Sequence, residues 1–272
     1  MKATVLGSGG WEGIPAPFCS CRLCRSALRF SNSKDSRTRP QFLFETKEGK
    51  VLLEVSPDIR LQSAKFQLTD ITDFLVSHWH FDHLQGVKEL HSWAKRLDQK
   101  LNIYCSLQTK NMIDKELNYI PIQTHVLQAL KPFTLKGITI TPLPVYHMHD
   151  EDDEAPEHSL NNVFGYIFEY NGRRVAYLAD YYRVPEATIA AIQGVDILIA
   201  DGTYLGTDEY KGIKHNHLHG NDIVNFTKRI NAKEVFYFSI SHTSRKSHED
   251  LQQELPSSHF VAYDGMVLTE RR

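Results

Sequence analysis

One short stretch of the chain concentrates side chains that bind transition metals. His78, His80, Asp82 and His83 fall within six positions, directly after the apolar run Asp73 to Ser77. On extended backbone His78 and His80 share one face, so both imidazoles are expected to converge on one cation. Asp82 and His83 follow at a turn into a helix, where they can face a second cation. Imidazole nitrogen with carboxylate oxygen suits zinc, manganese or iron.

A second cluster is made of cysteines. Cys19, Cys21 and Cys24 lie within six positions, whereas Cys105 stands alone in an apolar run. In a reducing compartment, such crowding favours metal thiolates over disulfides. Cys105 is expected to be a small buried hydrophobe.

The elements that must position these residues are strands and helices in alternation. Two hairpins are indicated by Glu48-Gly49 and Asn171-Gly172 between strand-like runs. Strands are predicted at Met1–Gly7, Gln41–Glu45, Lys50–Glu54, Asp73–Ser77, Leu101–Cys105, Ile138–Leu143, Val163–Tyr170, Arg174–Leu178, Asp196–Ala200, Glu234–Ile240 and Phe260–Tyr263. Helices are predicted at Leu84–Leu97, Thr109–Asn118, Pro185–Gln193, Asn221–Ile230 and His248–Leu255. Two-sided antiparallel pairing is expected to fill much of the chain, with helices flanking the sheets.

Composition limits the class of protein and its partners. We expect the 272 residues to form one domain, residues 1–272. Lys plus Arg number 31 against 33 Asp plus Glu, so the net charge of −2 gives no general attraction to nucleic acid or to an anionic membrane. No window approaches the roughly 18 to 20 apolar residues of a membrane span, and the N-terminus lacks a signal-peptide pattern, so a cytoplasmic location is expected.

The motif His-x-His-x-Asp-His after an apolar strand resembles the signature of the metallo-β-lactamase superfamily. Within it, four stretches resemble PhnP-type phosphodiesterases, and the likeness runs from about Thr4 to Met266. These stretches are Gly7–Gly10, Cys19–Cys24, Arg174–Asp180 and Ser241-His242. The resemblance implies an α/β fold, the metallo-β-lactamase-like αβ/βα four-layer sandwich, with metals at one edge of its two sheets.

The resemblance also implies a set of ligands. His147 matches the third histidine of the first metal, and Asp180 matches the carboxylate that bridges both metals. The first metal would be held by His78, His80, His147 and Asp180, and the second by Asp82, His83 and Asp180. His242 is implied as the fourth ligand of a structural zinc beside Cys19, Cys21 and Cys24, a closed site with no open position. One or two divalent cations (Zn, Mn or Fe) and one structural Zn are therefore expected.

The chain departs from the family at one ligand position. Ser239 stands where the family has a final histidine for the second metal. Either that site is weak, or another residue completes it, or one metal suffices. The segment after His147 contains His149 and His158, which a closing lid would bring to the site; a solvated acidic loop, Asp150 to Glu157, is the favoured interpretation.

These residues predict a hydrolytic mechanism. A metal lowers the pKa of its water, and the resulting hydroxide, oriented by Asp82, is expected to attack phosphorus. His217 matches a family histidine that contacts the phosphate and helps the leaving oxygen depart, and His219 competes for that role. Asp201 is expected to support the site without binding metal.

The leading hypothesis is a metal-dependent phosphodiesterase acting on a small phosphodiester, which includes cyclic phosphates. The alternatives are a lactone or thioester hydrolase on the same fold, or a metal-binding protein with little catalysis because of Ser239. The partner expected is a small-molecule phosphodiester, with no nucleic acid polymer and no membrane. The exact substrate, the metal's identity and a possible homodimer are left open by the sequence.

Overall fold

Two seven-stranded sheets are present in the computed structural model, which describes residues 1–147, 162–209 and 217–268. The first sheet has the order β14-β1-β2-β3-β4-β5-β6. Its strands are β1 (Lys2–Gly7), β2 (Gln41–Thr46), β3 (Gly49–Leu53), β4 (Asp73–Leu75), β5 (Leu101–Cys105), β6 (Ile122–Val126) and β14 (Val267–Leu268).

The second sheet has the order β13-β12-β11-β10-β9-β8-β7. Its strands are β7 (Phe133–Leu135), β8 (Ile138–Val145), β9 (Val163–Tyr170), β10 (Arg173–Leu178), β11 (Ile197–Asp201), β12 (Glu234–Phe238) and β13 (His259–Val261). The helices are α1 (Arg22–Arg29), α2 (Ile59–Lys65), α3 (Phe81–Leu84), α4 (Val87–Arg96), α5 (Leu107–Glu116), α6 (Glu186–Ile192), α7 (Gly220–Ile230) and α8 (His248–Gln253). None of these helices in the described ranges is both long and apolar enough to cross a bilayer.

Alternation along the strands divides the core into three layers. In β3, Val51 and Leu53 pack into the cluster between the sheets, while Leu52 packs on the opposite face. That opposite face is covered by residues of α2, α4 and α5, and the outer face of the second sheet is covered by residues of α1, α6 and α7. Helix, sheet, sheet and helix therefore lie in four layers, which confirms the predicted αβ/βα sandwich.

The pairing is mixed: the expected antiparallel pairing joins half of the strand pairs, and the other half are parallel. Each sheet begins with antiparallel strands, β1 to β3 and β7 to β10, and continues with parallel ones. The parallel strands are β3 to β6 in the first sheet and β10 to β13 in the second. Buried parallel strands lack a polar face, so their sequences show no period that distinguishes the two arrangements.

Two helices lie here: α3, which ends at Leu84, and α4, which begins at Val87 and corresponds to the predicted helix Leu84–Leu97. Gly86 separates them because its backbone approaches the residues after β3: its N–H donates to Val55 O at 2.9 Å, and a Cβ there would lie 1.9 Å from Ser56 O. Only glycine has room for this approach. α3 thereby carries Asp82 and His83 within a helix, not at the turn before one.

The parallel strands bring the polar segments to one edge. Strands β3, β4, β10, β11 and β12 point the same way within their sheets, and the carboxyl ends of parallel strands meet at one edge. The residues at or just past those ends include Glu54, Ser77, Asp180, Asp201 and Ser239. A functional site is therefore expected at this edge.

Candidate metal centre

The segment after β4 turns its histidines toward one another. His78 and His80 lie beyond the end of β4, in irregular backbone, so the predicted extended spacing was wrong there. Their rings are nevertheless 4.4 Å apart between centroids, and the His78 ring lies 4.3 Å from that of His83. Ser77 Oγ is 2.9 Å from His78 Nδ1 and 3.4 Å from His83 Nδ1, which leaves both Nε2 atoms for another partner.

Asp180 is the hub of the centre. Its Oδ2 lies 3.9 Å from His78 Nε2, 3.5 Å from His83 Nε2 and 3.6 Å from His147 Nε2. His147 Nε2 is also 3.3 Å from His80 Nδ1. Donor atoms on one cation, each about 2.0 to 2.2 Å from it, lie roughly 3 to 4 Å apart. The spacing therefore suits shared cations.

The structure brings together the two ligand groups that the resemblance implies. One group has donor atoms within 4.8 Å of one another from His78, His80, His147 and Asp180. The other has them from Asp82, His83 and Asp180. All six residues are buried.

Buried atoms without partners test whether these residues fit a metal. Among the described residues, His78 Nε2, His83 Nε2, Asp82 Oδ1 and Asp180 Oδ1 are buried and make no hydrogen bond. An unsatisfied buried polar atom is costly, and four of them on residues of one cluster are rare unless a ligand satisfies them. The donor set fits a divalent cation.

The electrostatics favour a positive charge at the centre. Burial disfavours the charged form of His83, but Asp82, Asp180 and Glu54 raise its pKa well above the ordinary value. Burial and the positive charge of neighbouring histidines lower the pKa of His78 well below it. Burial opposes ionisation of Asp82, but His83 lowers its pKa. A cation bound by neutral imidazoles compensates the same carboxylates.

Glu54 orients His83, a role that was not predicted from the sequence. Its side chain is completely buried after β3, and Oε1 lies 3.3 Å from His83 Nδ1. The Tyr177 hydroxyl donates to Oε1 at 2.8 Å, and the Ser77 backbone N–H donates to Oε2 at 3.2 Å. A carboxylate behind a ligating imidazole fixes its orientation. The sequence feature that could have indicated this role is a glutamate at the end of an apolar, strand-like run.

His217 and Asp201 form a pair at the same centre. His217 Nδ1 lies 2.5 Å from Asp201 Oδ2, and Asp201 Oδ1 accepts hydrogen bonds from the Thr203 N–H and hydroxyl at 2.9 and 2.7 Å. Burial lowers the pKa of His217, but the Asp201 carboxylate outweighs it and raises that pKa to about 9. The polar atoms of His217 and Asp201 group with Asp180 within 4.8 Å.

His219 lies in a different place from His217. Its ring stacks on Tyr204, 4.5 Å away and nearly parallel, immediately before α7. His217, in contrast, lies 5.0 Å from the His147 ring and lines the cleft. Of the two candidates for contact with substrate, the geometry favours His217.

Ser239 ends β12 beside the centre. It is buried, has a left-handed φ of 59°, and its Oγ accepts a hydrogen bond from the Thr203 hydroxyl at 3.1 Å. Its hydroxyl is thus engaged with Thr203. His149 and His158, with the segment Asp150 to Glu157, lie outside the described residues.

The cysteine cluster and His242 also meet. His242 Nδ1 is 3.5 Å from Cys19 Sγ, 4.0 Å from Cys21 Sγ and 3.7 Å from Cys24 Sγ. Zinc bonds of about 2.3 Å to sulfur and 2.0 Å to nitrogen give similar separations. Burial raises the pKa of Cys21, but the Cys24 N–H and His242 outweigh it and lower that pKa to about 6. Cys105 lies elsewhere, buried in β5 as predicted.

Glu12 completes the surroundings of His242. Its Oε1 accepts a hydrogen bond from the Ser241 hydroxyl at 2.6 Å and lies 3.6 Å from His242 Nε2. The carboxylate therefore faces the ring nitrogen opposite the thiols, where it favours Nδ1 as the metal-binding atom.

An open cleft of about 1060 Å³ gives access to the main centre. Its walls include ligand candidates from both groups, the His217 side chain and several aromatic rings. They are contributed by His80, Asp82, His147, Asp180, His217, Ser239, Trp11, Trp79, Phe81 and Tyr204, among others. A small molecule can therefore reach the proposed metal ligands.

Comparison with known proteins identifies the family. A family model described as a beta-lactamase superfamily domain matches residues 50–240. An octanoyltransferase of Porphyromonas gingivalis is 26% identical over 279 residues, covering 98% of this chain and 51% of that protein. This chain thus spans about half the length of that relative. Coenzyme PQQ synthesis protein B of Methylobacterium nodulans is 28% identical, covering 77% of this chain and 75% of the relative.

Solved structures agree on the fold. A diphosphatase from the PhnP family has a TM-score of 0.81 at 26% identity and covers 98% of this chain and 97% of its own. Zn²⁺-bound PqqB from Methylobacterium extorquens has a TM-score of 0.80 at 22% identity, with 99% and 100% covered. At that identity, PqqB supports the fold alone.

Proposed function

This chain belongs to the β-lactamase superfamily, and we propose that it is a metal-dependent phosphodiesterase acting on a small phosphodiester. The observation that carries the proposal is the grouping around Asp180. Two sets of metal-ligating atoms share that carboxylate, and the His217–Asp201 pair lies at the same cleft. Metal donors beside a histidine that can carry a proton are the parts that ester hydrolysis requires.

The proposed ligands are His78, His80, His147, Asp82, His83 and Asp180. A divalent cation bound there supplies two things: it lowers the pKa of water, and it offsets charge on the phosphoryl oxygens. Asp82 is buried at the cleft with Oδ1 free of hydrogen bonds, so it can orient the attacking water.

His217 is the proposed proton donor. Because Asp201 holds its Nδ1, the ring presents Nε2 as its other polar atom, and the carboxylate stabilises the protonated ring. Nε2 would donate a proton to the leaving oxygen as the P–O bond breaks. The carboxylate of Asp201 therefore acts through His217 and not on the substrate.

The phosphodiester is chosen over other esters for two reasons. The PhnP-family diphosphatase, a phosphorus–oxygen hydrolase by its name, covers nearly the whole chain in both directions. The cysteine cluster with His242 also matches the PhnP-type pattern that the sequence resembles. A small substrate is proposed because the charge is near neutral.

One observation favours the alternative of an acyl substrate. The relative from Porphyromonas gingivalis is named an octanoyltransferase, and transfer of an acyl group is chemistry of thioesters and amides. Since this chain spans 51% of that protein, the name describes a much longer chain. Thioester and lactone hydrolysis is therefore the second candidate.

The test compares substrates on one preparation. Purified protein is loaded with Mn²⁺ or Zn²⁺ and assayed with bis(p-nitrophenyl) phosphate, an acyl thioester and a lactone. We expect metal-dependent turnover of the diester that exceeds turnover of the other two. His217→Asn is expected to lower kcat by about 100-fold, the usual contribution of one general acid, while His125→Asn on β6 leaves it unchanged.

Three results would contradict the proposal. Faster hydrolysis of the thioester or lactone supports the acyl alternative. Metal uptake limited to the cysteine cluster, with no turnover after adding Mn²⁺, supports a metal-binding protein with little catalysis. Equal activity of His217→Asn and wild type removes the role of His217.

A further inference from the structure

Two exposed aromatic rings stand at the rim of the cleft. Trp11 is 57% exposed and Phe81 40% exposed, and both line the cleft together with His80 and Asp82. Their ring centroids are 5.6 Å apart, and the Trp11 ring lies 6.3 Å from that of His80. Single exposed hydrophobic residues are ordinary, but a pair of rings beside proposed metal ligands forms a ready surface for a ligand.

The backbone on both sides of Trp11 is anchored. The Gly10 N–H donates to Ile240 O at 3.1 Å, and the Gly13 N–H donates to Gly10 O at 2.9 Å. The Glu12 carboxylate accepts a hydrogen bond from the Ser241 hydroxyl at 2.6 Å. The exposed ring is therefore carried on a fixed loop, which reduces the entropy lost when a ligand binds.

Arg39, which does not line the cleft, contacts both aromatic residues. Its Nε donates to Trp11 O at 2.9 Å, and its guanidinium lies 5.4 Å from the Phe81 ring centroid. The Asp58 carboxylate accepts a hydrogen bond from Arg39 Nη1 at 2.9 Å, which fixes the position of the guanidinium. Arg39 therefore binds the backbone of one aromatic residue and packs its cation near the ring of the other.

We propose that Trp11 and Phe81 form an aromatic wall that binds a flat ring carried by the substrate's phosphoryl group, such as an aryl group or a nucleobase. The inference rests on the proposed function, which places the phosphoryl group at the metal ligands. The Trp11 ring centroid lies 6.3 Å from that of His80, so a ring stacked on the wall would lie next to a proposed metal ligand. Stacking between flat rings depends on their contact area and requires no specific hydrogen bond.

The charged residues that line the cleft favour a substrate with one phosphoryl group. Among the described residues, three glutamates, Glu12, Glu89 and Glu116, and one lysine, Lys88, line the cleft. A chain of phosphates would meet this acidic side at an energetic cost, because like charges repel. A compound with one phosphoryl group and one ring fits better.

The test measures binding, so that it does not depend on turnover. Phenyl phosphate and methyl phosphate are titrated into the Mn²⁺-loaded protein by calorimetry. Wild type is expected to bind phenyl phosphate about 5-fold or more tightly than methyl phosphate, as one stacking contact provides. Trp11→Ala and Phe81→Ala are each expected to reduce that ratio toward one without changing the affinity for methyl phosphate. Phe30→Ala, which removes an equally exposed ring outside the cleft, is the matched control and should keep the ratio.

The outcomes separate this inference from the proposed function. A wild-type ratio near one overturns the aromatic wall. So does the absence of measurable binding of either ligand, or a ratio that Trp11→Ala leaves unchanged. Hydrolysis of bis(p-nitrophenyl) phosphate by the same preparation is a separate readout. If that activity is present and the ratio is near one, only the wall is wrong.

Discussion

At the level of single residues, Glu54 is the side chain whose role follows most directly from contacts. It holds His83 Nδ1 from behind and is itself held by Tyr177 and Ser77. Glu54→Gln keeps the shape but removes the charge that orients and polarises the imidazole. We expect active-site metal affinity to fall by about 10- to 100-fold in a chelator competition titration.

Glu45→Gln is the control for that substitution, because Glu45 pairs with the surface residue Lys2 at 3.5 Å and lies outside the candidate metal centre. It should leave the titration unchanged. An unchanged titration for Glu54→Gln as well would show that Glu54 has only a packing role.

Ser239 offers a gain-of-function prediction. The sequence resemblance implies that it stands at the position of a last metal-binding histidine, and its left-handed φ of 59° is one that histidine adopts more readily than most residues. Ser239→His is expected to bind a second divalent cation more tightly, by about 10-fold or more, since an imidazole replaces a neutral hydroxyl.

Metal stoichiometry after dialysis measures this effect, with Ser63→His as the control because that hydroxyl donates to Arg60 O on α2 and does not line the cleft. Tighter binding in both variants, or in neither, would contradict the assignment of Ser239 to the ligand position.

The candidate metal ligands were the part of the site best predicted from the sequence. The motif from His78 to His83 indicated a metal site because its residue types have few other reasons to be buried together. Glu54 and Glu12 were missed because a single carboxylate carries no pattern. Their partners, His83 and His242, are 29 and 230 positions away and meet them only in the folded chain.

At the level of elements, the cysteine cluster joins the start of α1 and the loop before it to the turn after β12. The contacts of Cys19, Cys21 and Cys24 with His242 span more than 200 positions. Cys24→Ala is expected to remove a zinc ligand and lower Tm by about 10 °C, since losing a metal site is among the most destabilising changes.

Differential scanning calorimetry measures the effect, and Cys105→Ala is the control because that cysteine is buried far from the cluster. A Tm for Cys24→Ala no lower than that for Cys105→Ala would exclude a stabilising metal at this cluster.

The boundaries of helices and strands were predicted where a local sequence pattern sets them. They were missed where a contact with a distant part of the chain ends the element. The hairpin of β9 and β10 was predicted because Asn171-Gly172 separates two apolar runs. The break at Gly86 was missed because its cause is the backbone of Ser56, which the local pattern of α3 and α4 does not show.

For the molecule as a whole, a buried network at Arg37 predicts how stability depends on pH. His248 Nδ1 lies 3.2 Å from Arg37 Nη2, the His248 N–H donates to Asp35 at 2.6 Å, and Lys34 is also nearby. Burial, then Arg37 and Lys34, lower the pKa of His248 from 6.5 to about 4.

Because the folded pKa lies below the unfolded one, the unfolded state takes up the proton first as pH falls. The stability from neutral His248 is thus present above pH 6.5 and is lost between pH 6.5 and about 4. Urea unfolding should show a smaller loss over this range for His248→Gln than for wild type. Equal pH dependence of the two proteins would contradict the shift.

The central claim is that one cleft gathers the metal ligands, and metal content tests it most directly. Wild type and His78→Ala/His80→Ala are compared by elemental analysis after dialysis, with circular dichroism to verify folding and His125→Ala as the control. The double variant is predicted to keep the metal of the cysteine cluster and lose the rest. If its metal content equals that of wild type, these histidines bind no metal and the proposed centre is wrong.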